Sequence, residues 1–404
     1  MRLDQSRMYR NISETAIAHG ALTNSKRPSV FVEGVYPTHA IRGSRCFLYD
    51  ADGYKYVDYC CALGTNLFGY GNSTVAAAVY QALMDGALFT LSSTKEAIFA
   101  QTIRGLFPFL ERLRILKSGS EGCSAAIRIA RAFRGKDLVL SDGYHGWHDD
   151  FTSLTPPAHG VPAREKDIQL LPMEYPDALL KKAAAVIIEP VILDASQERI
   201  AWVRKLREDC TRLGTILIFD ETITAYRFPK YSFAKYTGCY PDLFIAGKAL
   251  ANGMPISVVG GRADVMECDY FVSSTFAGDL AAIAAAMACC DLIVDSQWSI
   301  EELWNEGEKF LAEFNAIDHK IQLVGYPTRA VFKGDDLMKA LFWQECLYSG
   351  VLFGPSWFIN RFHIAERDNV MDICKTVIAK INNNKVALRG KVPRTPFAKK
   401  EFER

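Results

Sequence analysis

Four short segments of the sequence place reactive or hydrogen-bonding side chains where an open parallel sheet should bind a ligand, just past the carboxyl ends of strands. The first, Ser118–Glu121, opens a predicted helix, where free backbone N–H groups and the positive end of the helix dipole suit a phosphate. Taken alone, this segment is more typical of an ordinary serine cap assisted by Glu121. Ser118, Gly119 and Ser120 are therefore candidates for anion binding only if other features agree.

Two further segments place an acid and a lysine directly after two predicted strands that follow one another in the sequence. Asp220 and Glu221 follow a predicted strand. An acid there can form an ion pair with a cationic ring nitrogen, although a turn or helix-cap carboxylate gives the same local pattern. Lys248, between Gly247 and Ala249, follows the next predicted strand, where a lysine held away from water can form a Schiff base. A lysine in such a loop is more commonly solvated, so Lys248 also depends on its neighbours for support.

The fourth segment is Tyr144–His148, whose aromatic side chains can stack on a flat ring. Packing between a loop and the core is the commoner reason for aromatic residues in such a place. Each of the four segments thus has an ordinary structural explanation when it is considered singly. Together they supply a phosphate cradle, an aromatic cover, an acid for a pyridinium nitrogen and a lysine. This combination indicates an enzyme that uses pyridoxal phosphate (PLP) as its cofactor.

The elements that must hold these segments alternate buried strands with helices. Short apolar runs predict the strands, which are Leu138–Leu140, Ala185–Ile188, Thr215–Phe219, Leu243–Ala246 and Ile256–Val259. Between strands, apolar residues such as those from Cys123 to Phe133 recur with helical spacing. The alternation predicts an α/β domain with a mostly parallel sheet flanked by helices. Open sheets of this kind bind ligands just past the carboxyl ends of their strands.

The two ends of the chain have a different sequence pattern, which predicts a smaller α+β domain. Residues 1–26 have the pattern of a polar helical arm, and Phe47–Asp58 has the pattern of a β-hairpin. Ile300–Phe314 has the pattern of a helix, and short strands and a charged tail follow it. We therefore divide the chain into three parts. Residues 1–65 form the arm and part of the small domain, 66–299 the large PLP-binding domain, and 300–404 the rest of the small domain.

Composition and charge argue against several classes of protein. The chain is 49% hydrophobic and 23% charged, which is typical of a globular protein with a sizeable core. Its net charge of +1 gives no reason to expect nucleic acid or an anionic membrane as a partner, and we find neither a bilayer-spanning run nor a signal peptide. Eleven cysteines without metal-site spacing predict free thiols in the cytoplasm and no metal site.

The four segments lie within longer motifs that resemble the class III (ornithine-type) aminotransferases of PLP fold type I. Within that group the sequence looks most similar to proteins of the glutamate-1-semialdehyde 2,1-aminomutase type. The resemblance extends from Gly34 to about Pro396. Its motifs are Tyr49–Gly53, Lys117–Arg128, Gly143–Asp149, Ile188–Pro190, Asp220–Arg227, Gly247–Pro255 and Ser274–Gly278. Their number and order make the resemblance specific, although no single motif would.

The resemblance implies a role for each matching position. Lys248 would be the Schiff-base lysine and proton shuttle, Asp220 would hold the ring nitrogen protonated, and Tyr144 would stack on the ring. The other residues implied to bind the cofactor are Ser118, Gly119, Ser120, His145, Glu189, Thr222 and Thr275. Thr275 matches a threonine that reaches the phosphate in the neighbouring subunit, which implies a homodimer with shared active sites.

Two departures from the family pattern bear on specificity. Thr222 stands where the family usually has a small aliphatic residue that packs under the ring. The segment Arg27–Pro37 does not reproduce the stretch that grips the substrate carboxylate in the aminomutase. Alternative anchors for an anionic substrate are Arg27, Arg42, Arg45 and Arg361.

The reaction expected from these residues is transfer of an amino group by a ping-pong mechanism. An amino-acid donor would supply the group, and a keto or aldehyde acceptor, either a keto sugar or a small amino-acid aldehyde, would receive it. One alternative is an intramolecular 2,1-aminomutase of the glutamate-1-semialdehyde type. An alternative of another class is a non-catalytic binding dimer with a PLP fold, against which the retention of both Lys248 and Asp220 argues.

Overall fold

A computed structural model describes residues 1–155, 158–162, 167–295, 299–317 and 320–394. The charged tail from residue 395 onward, which includes the end of the family resemblance near Pro396, lies outside the described residues. The described residues fall into two compact units, which are Met1–Asn72 with residues 302–394, and Ser73–Glu301. Within these residues, no helix combines the length and the apolar character needed to cross a bilayer.

The elements are numbered in chain order. The helices are α1 (Asp4–Ala16), α2 (Cys61–Gly64), α3 (Ser73–Asp85), α4 (Thr94–Leu106), α5 (Gly119–Arg134), α6 (Asp149–Thr152), α7 (Asp177–Lys182), α8 (Gln197–Leu213), α9 (Phe233–Thr237), α10 (Ala263–Met266), α11 (Leu280–Val294), α12 (Ile300–Asn315), α13 (Asp336–Tyr348) and α14 (Phe362–Asn382). The strands are β1 (Ala40–Ser44), β2 (Phe47–Asp50), β3 (Lys55–Asp58), β4 (Arg112–Leu116), β5 (Val139–Asp142), β6 (Ile168–Leu170), β7 (Ala185–Ile188), β8 (Ile216–Asp220), β9 (Leu243–Ala246), β10 (Ser257–Gly261), β11 (Ile321–Tyr326), β12 (Arg329–Gly334), β13 (Val351–Leu352) and β14 (Trp357–Phe358).

The sheet of the larger unit has the strand order β4-β10-β9-β8-β7-β5-β6. Neighbouring strands from β9 to β6 are parallel, so the prediction of a mostly parallel sheet is confirmed. Strand β10 instead runs antiparallel to both β9 and β4. The connection from β9 to β10, residues 247–256, is shorter than the dozen or so residues that a parallel crossover needs. An apolar run carries no direction, so the sequence pattern predicted the strand but not its orientation.

The parallel strands explain how residues distant in sequence reach one edge of the sheet. Strands β5, β7, β8 and β9 are successive neighbours, and their carboxyl ends all face the same way. Tyr144, Glu189, Asp220 and Lys248 lie at or just beyond those ends. Strand β4 has the same direction, because two antiparallel pairings separate it from β9, so the start of α5 also lies at this edge.

Helix α5 packs on this sheet through one apolar face. Cys123, Ala126, Ile127 and Ala130 are buried at the predicted helical spacing, in a cluster with strand residues such as Ile245. The helix begins at Ser118, whose side chain caps it, and ends at Gly135, which adopts the left-handed conformation common after helices. Both boundaries thus follow from the local sequence, and the first boundary fixes where the anion-binding start of the helix lies.

The smaller unit contains two short sheets with the orders β1-β2-β3-β13 and β11-β12-β14. Strands β2 and β3 pair antiparallel, which confirms the hairpin predicted for Phe47–Asp58. The predicted arm contains α1, followed by short 3-10 turns. Mixed helices and small sheets give this unit the α+β character expected from the ends of the chain.

The central strand β8 should dominate the stability of the larger unit. Ile218 is fully buried there, between β7 and β9. We expect Ile218→Ala to lower the free energy of unfolding by about 2–5 kcal/mol, because it removes buried methyl groups and leaves a cavity. The same substitution at Ile41, which is 64% exposed on β1, should change it by less than about 0.5 kcal/mol. Urea unfolding followed by circular dichroism measures both values, and equal losses would contradict this packing.

Candidate active site

The start of α5 presents hydrogen-bond donors that the helix itself does not use. The Ser118 side chain accepts a hydrogen bond from the Glu121 N–H at 3.3 Å, and the Glu121 carboxylate accepts one from the Lys117 N–H at 2.7 Å. The N–H groups of Gly119 and Ser120 have no acceptor within the helix, and none from the described part of the chain reaches them. These two groups and the positive end of a 16-residue helix suit a dianion.

Thr222 joins this helix start to the loop that carries the lysine. A Cβ atom placed on Gly119 would lie 2.8 Å from the methyl carbon Cγ2 of Thr222, and one on Gly247 would lie 3.3 Å from the same atom. Both positions therefore approach Thr222 too closely for a larger residue to fit without a shift. Since Gly247 immediately precedes Lys248, the lysine loop lies beside the anion-binding start of α5.

The carboxylate of Asp220 is the centre of a buried hydrogen-bond network. Its Oδ2 atom lies 2.8 Å from Nδ1 of His145 and accepts from the thiol of Cys123 at 3.3 Å. Its Oδ1 atom accepts from both the N–H and the hydroxyl of Thr222, at 3.1 and 2.5 Å. The side chain of Asp220 is only 4% exposed, so these donors replace the water that an ionised carboxylate would otherwise bind.

The network favours the ionised form of Asp220. Burial by itself raises the pKa of this carboxyl group, but the interactions with His145 and Thr222 outweigh burial, and the net pKa is below the ordinary value. Asp220 therefore carries a negative charge at the sheet edge, where a cationic ring nitrogen was predicted to bind.

Cys123 is a member of this network that sequence reasoning assigned only to the apolar face of α5. Burial, the first cause, and the adjacent Asp220 raise the pKa of its thiol well above the ordinary value, so the group remains a protonated donor. Cys123, His145 and Asp220 offer ligand atoms within 4.8 Å of one another, a combination that can hold a transition metal. A thiolate would be the metal ligand, so the raised pKa favours the hydrogen-bonded arrangement. The sequence did contain one indication that Cys123 belongs to the site, because it follows Gly119 by one helical turn.

Tyr144 is held at the same edge by its backbone. Its N–H donates to Oε1 of Glu189 at 2.8 Å, and Gly143, with φ of +114°, lies so close to Glu189 that a Cβ there would be 2.9 Å from Cγ of the glutamate. The Tyr144 ring remains partly exposed, and burial together with the charge of Glu189 raises the pKa of its hydroxyl. The ring therefore borders an open space as a neutral phenol.

Lys248 adopts a backbone conformation that is unusual for its residue type. Its φ of +45° lies in the left-handed region, which costs free energy for any residue other than glycine and is enriched at functional sites. The side chain is half-buried, and its positive charge offsets part of the rise that burial and Asp220 cause in the pKa of the Cys123 thiol. The lysine is thus close enough to the Asp220 network to act on it electrostatically.

Glu221, the neighbour of Asp220, has a different structural task. Its carboxylate accepts hydrogen bonds from the N–H groups of Phe233 and Ala234, at 2.7 and 2.9 Å, and from the hydroxyl of Thr224 at 2.8 Å. It therefore anchors the start of α9. Burial raises the pKa of Glu221 to about 7. A carboxylate that caps a helix was one explanation considered for Asp220 and Glu221. That explanation applies to Glu221, whereas Asp220 faces the candidate site.

The structure brings most of the predicted residues to one edge of the sheet. These are Ser118, Gly119, Ser120, Tyr144, His145, Glu189, Asp220, Thr222 and Lys248. Thr275 is not among them, because it lies exposed in the loop before α11. The candidate substrate anchors belong to the smaller unit, where Arg42 stacks on Tyr49 and Arg45 lies over Phe362.

The donor set fits a phosphorylated pyridinium cofactor. The Gly119 and Ser120 N–H groups suit its phosphate, the ionised Asp220 suits its cationic nitrogen, and Lys248 suits its aldehyde carbon. The close approach of Gly119 to Thr222 leaves no room for a side chain that would fill this cradle.

Comparison with known proteins agrees with this chemistry. Residues 32–334 match the model of the aminotransferase class-III family. The PLP internal aldimine form of the FumI protein from Sphingopyxis sp. MTA144 has a TM-score of 0.87 and 22% identity, with 96% of this chain and 99% of that chain covered. An omega-transaminase from Sphaerobacter thermophilus has a TM-score of 0.83 and 21% identity, with 93% and 98% covered.

A third similar structure is a glutamate-1-semialdehyde aminomutase from Pseudomonas aeruginosa PAO1 in complex with PMP. Its TM-score is 0.81 at 18% identity, with 93% of this chain and 94% of that chain covered. At these identities the three structures establish the shared fold, and the family match covers most of the chain.

The contact between Gly146 and Ser120 should be a sensitive point of the site. Gly146 has φ of +101°, and an alanine Cβ there would lie 2.1 Å from Oγ and 2.7 Å from Cα of Ser120. We expect Gly146→Ala to lower the free energy of unfolding by about 1–3 kcal/mol more than Gly135→Ala. Gly135 also has a positive φ, of +60°, but a Cβ there meets nothing within 4 Å, so it isolates the effect of the clash. Urea unfolding gives both values, and similar losses would contradict the close contact.

Proposed function

Because the chain belongs to the class-III aminotransferases, we propose that it is a PLP-dependent enzyme that transfers an amino group from an amino-acid donor to a keto or aldehyde acceptor. The acceptor we propose is a keto sugar or a small amino-acid aldehyde. The observation that carries this proposal is the meeting of Asp220, Lys248 and the start of α5 at one edge of the sheet. PLP, when bound, supplies an electron-accepting ring that takes up the charge left by removal of a substrate proton.

The residues around this ring divide binding and orientation between them. The N–H groups of Gly119 and Ser120, with the Ser118 cap behind them, would bind the phosphate. Tyr144 would cover one face of the ring, and the methyl group of Thr222 is beside the phosphate-binding start of α5. Glu189 would fix the Tyr144 backbone, since it accepts the Tyr144 N–H.

Asp220 would accept a hydrogen bond from the protonated ring nitrogen. His145, Cys123 and Thr222 hold its carboxylate and favour its charge, so the proton would stay on the ring nitrogen and not on Asp220. A preorganised charge of this kind requires no rearrangement during the reaction. Thr222, which departs from the family pattern, thereby contributes a donor to Asp220 that an aliphatic residue would lack.

Lys248 would attach the cofactor covalently and, once released, move the substrate proton as a neutral amine. Its left-handed backbone and the short loop after β9 set the position from which Nζ would reach the cofactor. The charge that it exerts on Cys123 supports a location close to the Asp220 network. Lys248 would thus act as the proton carrier and the Asp220 carboxylate as the partner of the ring nitrogen.

We also propose that the active form is a homodimer. Several large apolar side chains are exposed on the larger unit, and these are Tyr80, Leu83, Met84, Phe89, Leu91 and Phe276. Five of them lie within residues 80–91, and exposed apolar groups that lie close together are typical of an interaction surface. The Leu280 N–H donates to the Ala87 carbonyl at 2.9 Å, which joins the loop that carries Thr275 and Phe276 to this surface.

Thr275 would act across the dimer interface on the phosphate in the partner. Its loop is fixed to the larger unit by the ion pair between Lys117 Nζ and Asp279 Oδ2, at 2.7 Å, and Lys117 directly precedes the phosphate-binding Ser118. Thr275 is exposed in the single chain, which leaves its side chain accessible to a second subunit. Free thiols at all eleven cysteines support a cytoplasmic location for the enzyme.

A half-reaction tests the proposed function. Amino-acid donors added to the PLP-loaded protein should convert the cofactor spectrum from its aldehyde-derived form to its amine form without an acceptor present. Lys248→Ala should bind PLP but not react, because it lacks the proton carrier, whereas Lys205→Ala on the exposed face of α8 should react normally. Absorbance in stopped flow measures the rate.

Borohydride reduction followed by peptide mapping is the control for the attachment site. The reduced cofactor should remain on Lys248, and labelling of another lysine would contradict the assignment. Isomerisation of an amino-aldehyde without any donor half-reaction would contradict transamination and indicate the aminomutase alternative.

A mixing experiment tests the shared active site. Lys248→Ala subunits and Thr275→Ala subunits should each be defective alone, the latter through PLP affinity about ten-fold weaker or more, since a charge-assisted hydrogen bond is lost. After subunit exchange, each heterodimer should contain one site with a wild-type Lys248 and, from the partner, a wild-type Thr275. Activity at limiting PLP measures the recovery. Verified exchange without recovery would contradict the action of Thr275 in trans.

A further inference from the structure

The larger unit has a cavity at the edge of the sheet opposite the candidate active site. This cavity has a volume of about 390 Å³ and lies at the amino-terminal end of β8. Ile216 begins that strand and Asp220 ends it, so four residue steps, roughly 13 Å, separate the cavity from the Asp220 network. The volume is within the range of pockets that bind small molecules.

Three arginines line the cavity together with a single acid. Asp242 bonds to Arg207 at 2.8 Å and to Arg262 at 3.0 Å. Arg262 also pairs with Asp264. These four charges balance one another, and the carboxylate of Asp242 is further fixed by the Leu217 N–H at 2.8 Å.

The third arginine, Arg134, is left without a counter-charge among the described residues. It is the last residue of α5, and its guanidinium lies against Gly214, where Nη1 would be 3.3 Å from a Cβ. Its Nε atom is buried, and within the described chain it has no hydrogen-bond partner. The guanidinium of Arg134 borders the cavity, so an oxyanion bound there would supply the counter-charge that the described residues do not.

The other residues that line the cavity are suited to contact a small apolar group attached to that oxyanion. Phe133, Ile216, Tyr240 and Pro241 border the same space as Arg134. Guanidinium groups bind planar or tetrahedral oxyanions through paired N–H groups. We infer that this cavity, formed by the end of α5, α8 and the start of β8, is a second binding site for a small molecule that carries a phosphate or carboxylate group.

Calorimetric titration of the PLP-loaded enzyme tests this site, because bound PLP keeps other anions from the phosphate cradle. The probes are inorganic phosphate, phenyl phosphate and benzoate. Phenyl phosphate should bind more tightly than inorganic phosphate if the apolar lining contributes, and the comparison with benzoate separates phosphate from carboxylate as the preferred group. Arg134→Gln should weaken the tightest probe about ten-fold or more, and Arg134→Lys should weaken it less.

Arg204→Gln is the matched control. Arg204 lies on α8, one turn before Arg207, and donates to the Thr237 carbonyl outside the cavity lining, so its loss should leave binding unchanged. Equal binding to wild type, Arg134→Gln and Arg204→Gln would overturn the inference. So would a crystal of the wild-type enzyme soaked in phenyl phosphate without density beside Arg134, a result that does not depend on how well any variant folds.

Discussion

The burial of one ionised carboxylate, that of Asp220, constrains the whole candidate site. An ionised acid removed from water needs several donors, and this one obtains them from three separate parts of the chain. His145 comes from the loop after β5, Cys123 from α5, and Thr222 from the turn after β8. Each donor brings its own element to the carboxyl edge of the sheet. The same contacts therefore position the phosphate-binding helix start, the aromatic loop and the lysine loop.

Much of this arrangement follows from the sequence because it depends on local patterns. Strands β7 and β9 have the predicted bounds, and the others of the predicted set begin one residue later than their apolar runs. Lys248 and Asp220 were identifiable because each follows such a run. The direction of β10 was not, since an apolar run has no polarity and only the length of the connection decides it. The positions of the strands were thus more predictable than their directions in the sheet.

The hydrogen bonds within the site were less predictable than its location. Cys123 has the spacing of a core residue, and only the three-dimensional contact reveals that its thiol donates to Asp220. Thr222 was named as a cofactor-binding residue that departs from the small aliphatic residue of the family pattern, but the sequence did not indicate that its hydroxyl bonds to Asp220 while its methyl group lies beside Gly119. Both side chains are small enough to serve as packing groups and as donors, so residue type alone does not distinguish these uses.

Asp220 and Glu221 are adjacent acids that satisfy two separate sets of donors on opposite sides of the strand end. Asp220 meets His145 and Thr222, whereas Glu221 meets the N–H groups of Phe233 and Ala234. A slip of β8 by one residue would exchange the faces of all its side chains. Glutamate, with its longer side chain, would then face the donors spaced for aspartate, and the cap of α9 would be lost. The two acids therefore fix the register of β8 at its carboxyl end, because the insertion or deletion of a single residue in the strand would break both sets of hydrogen bonds.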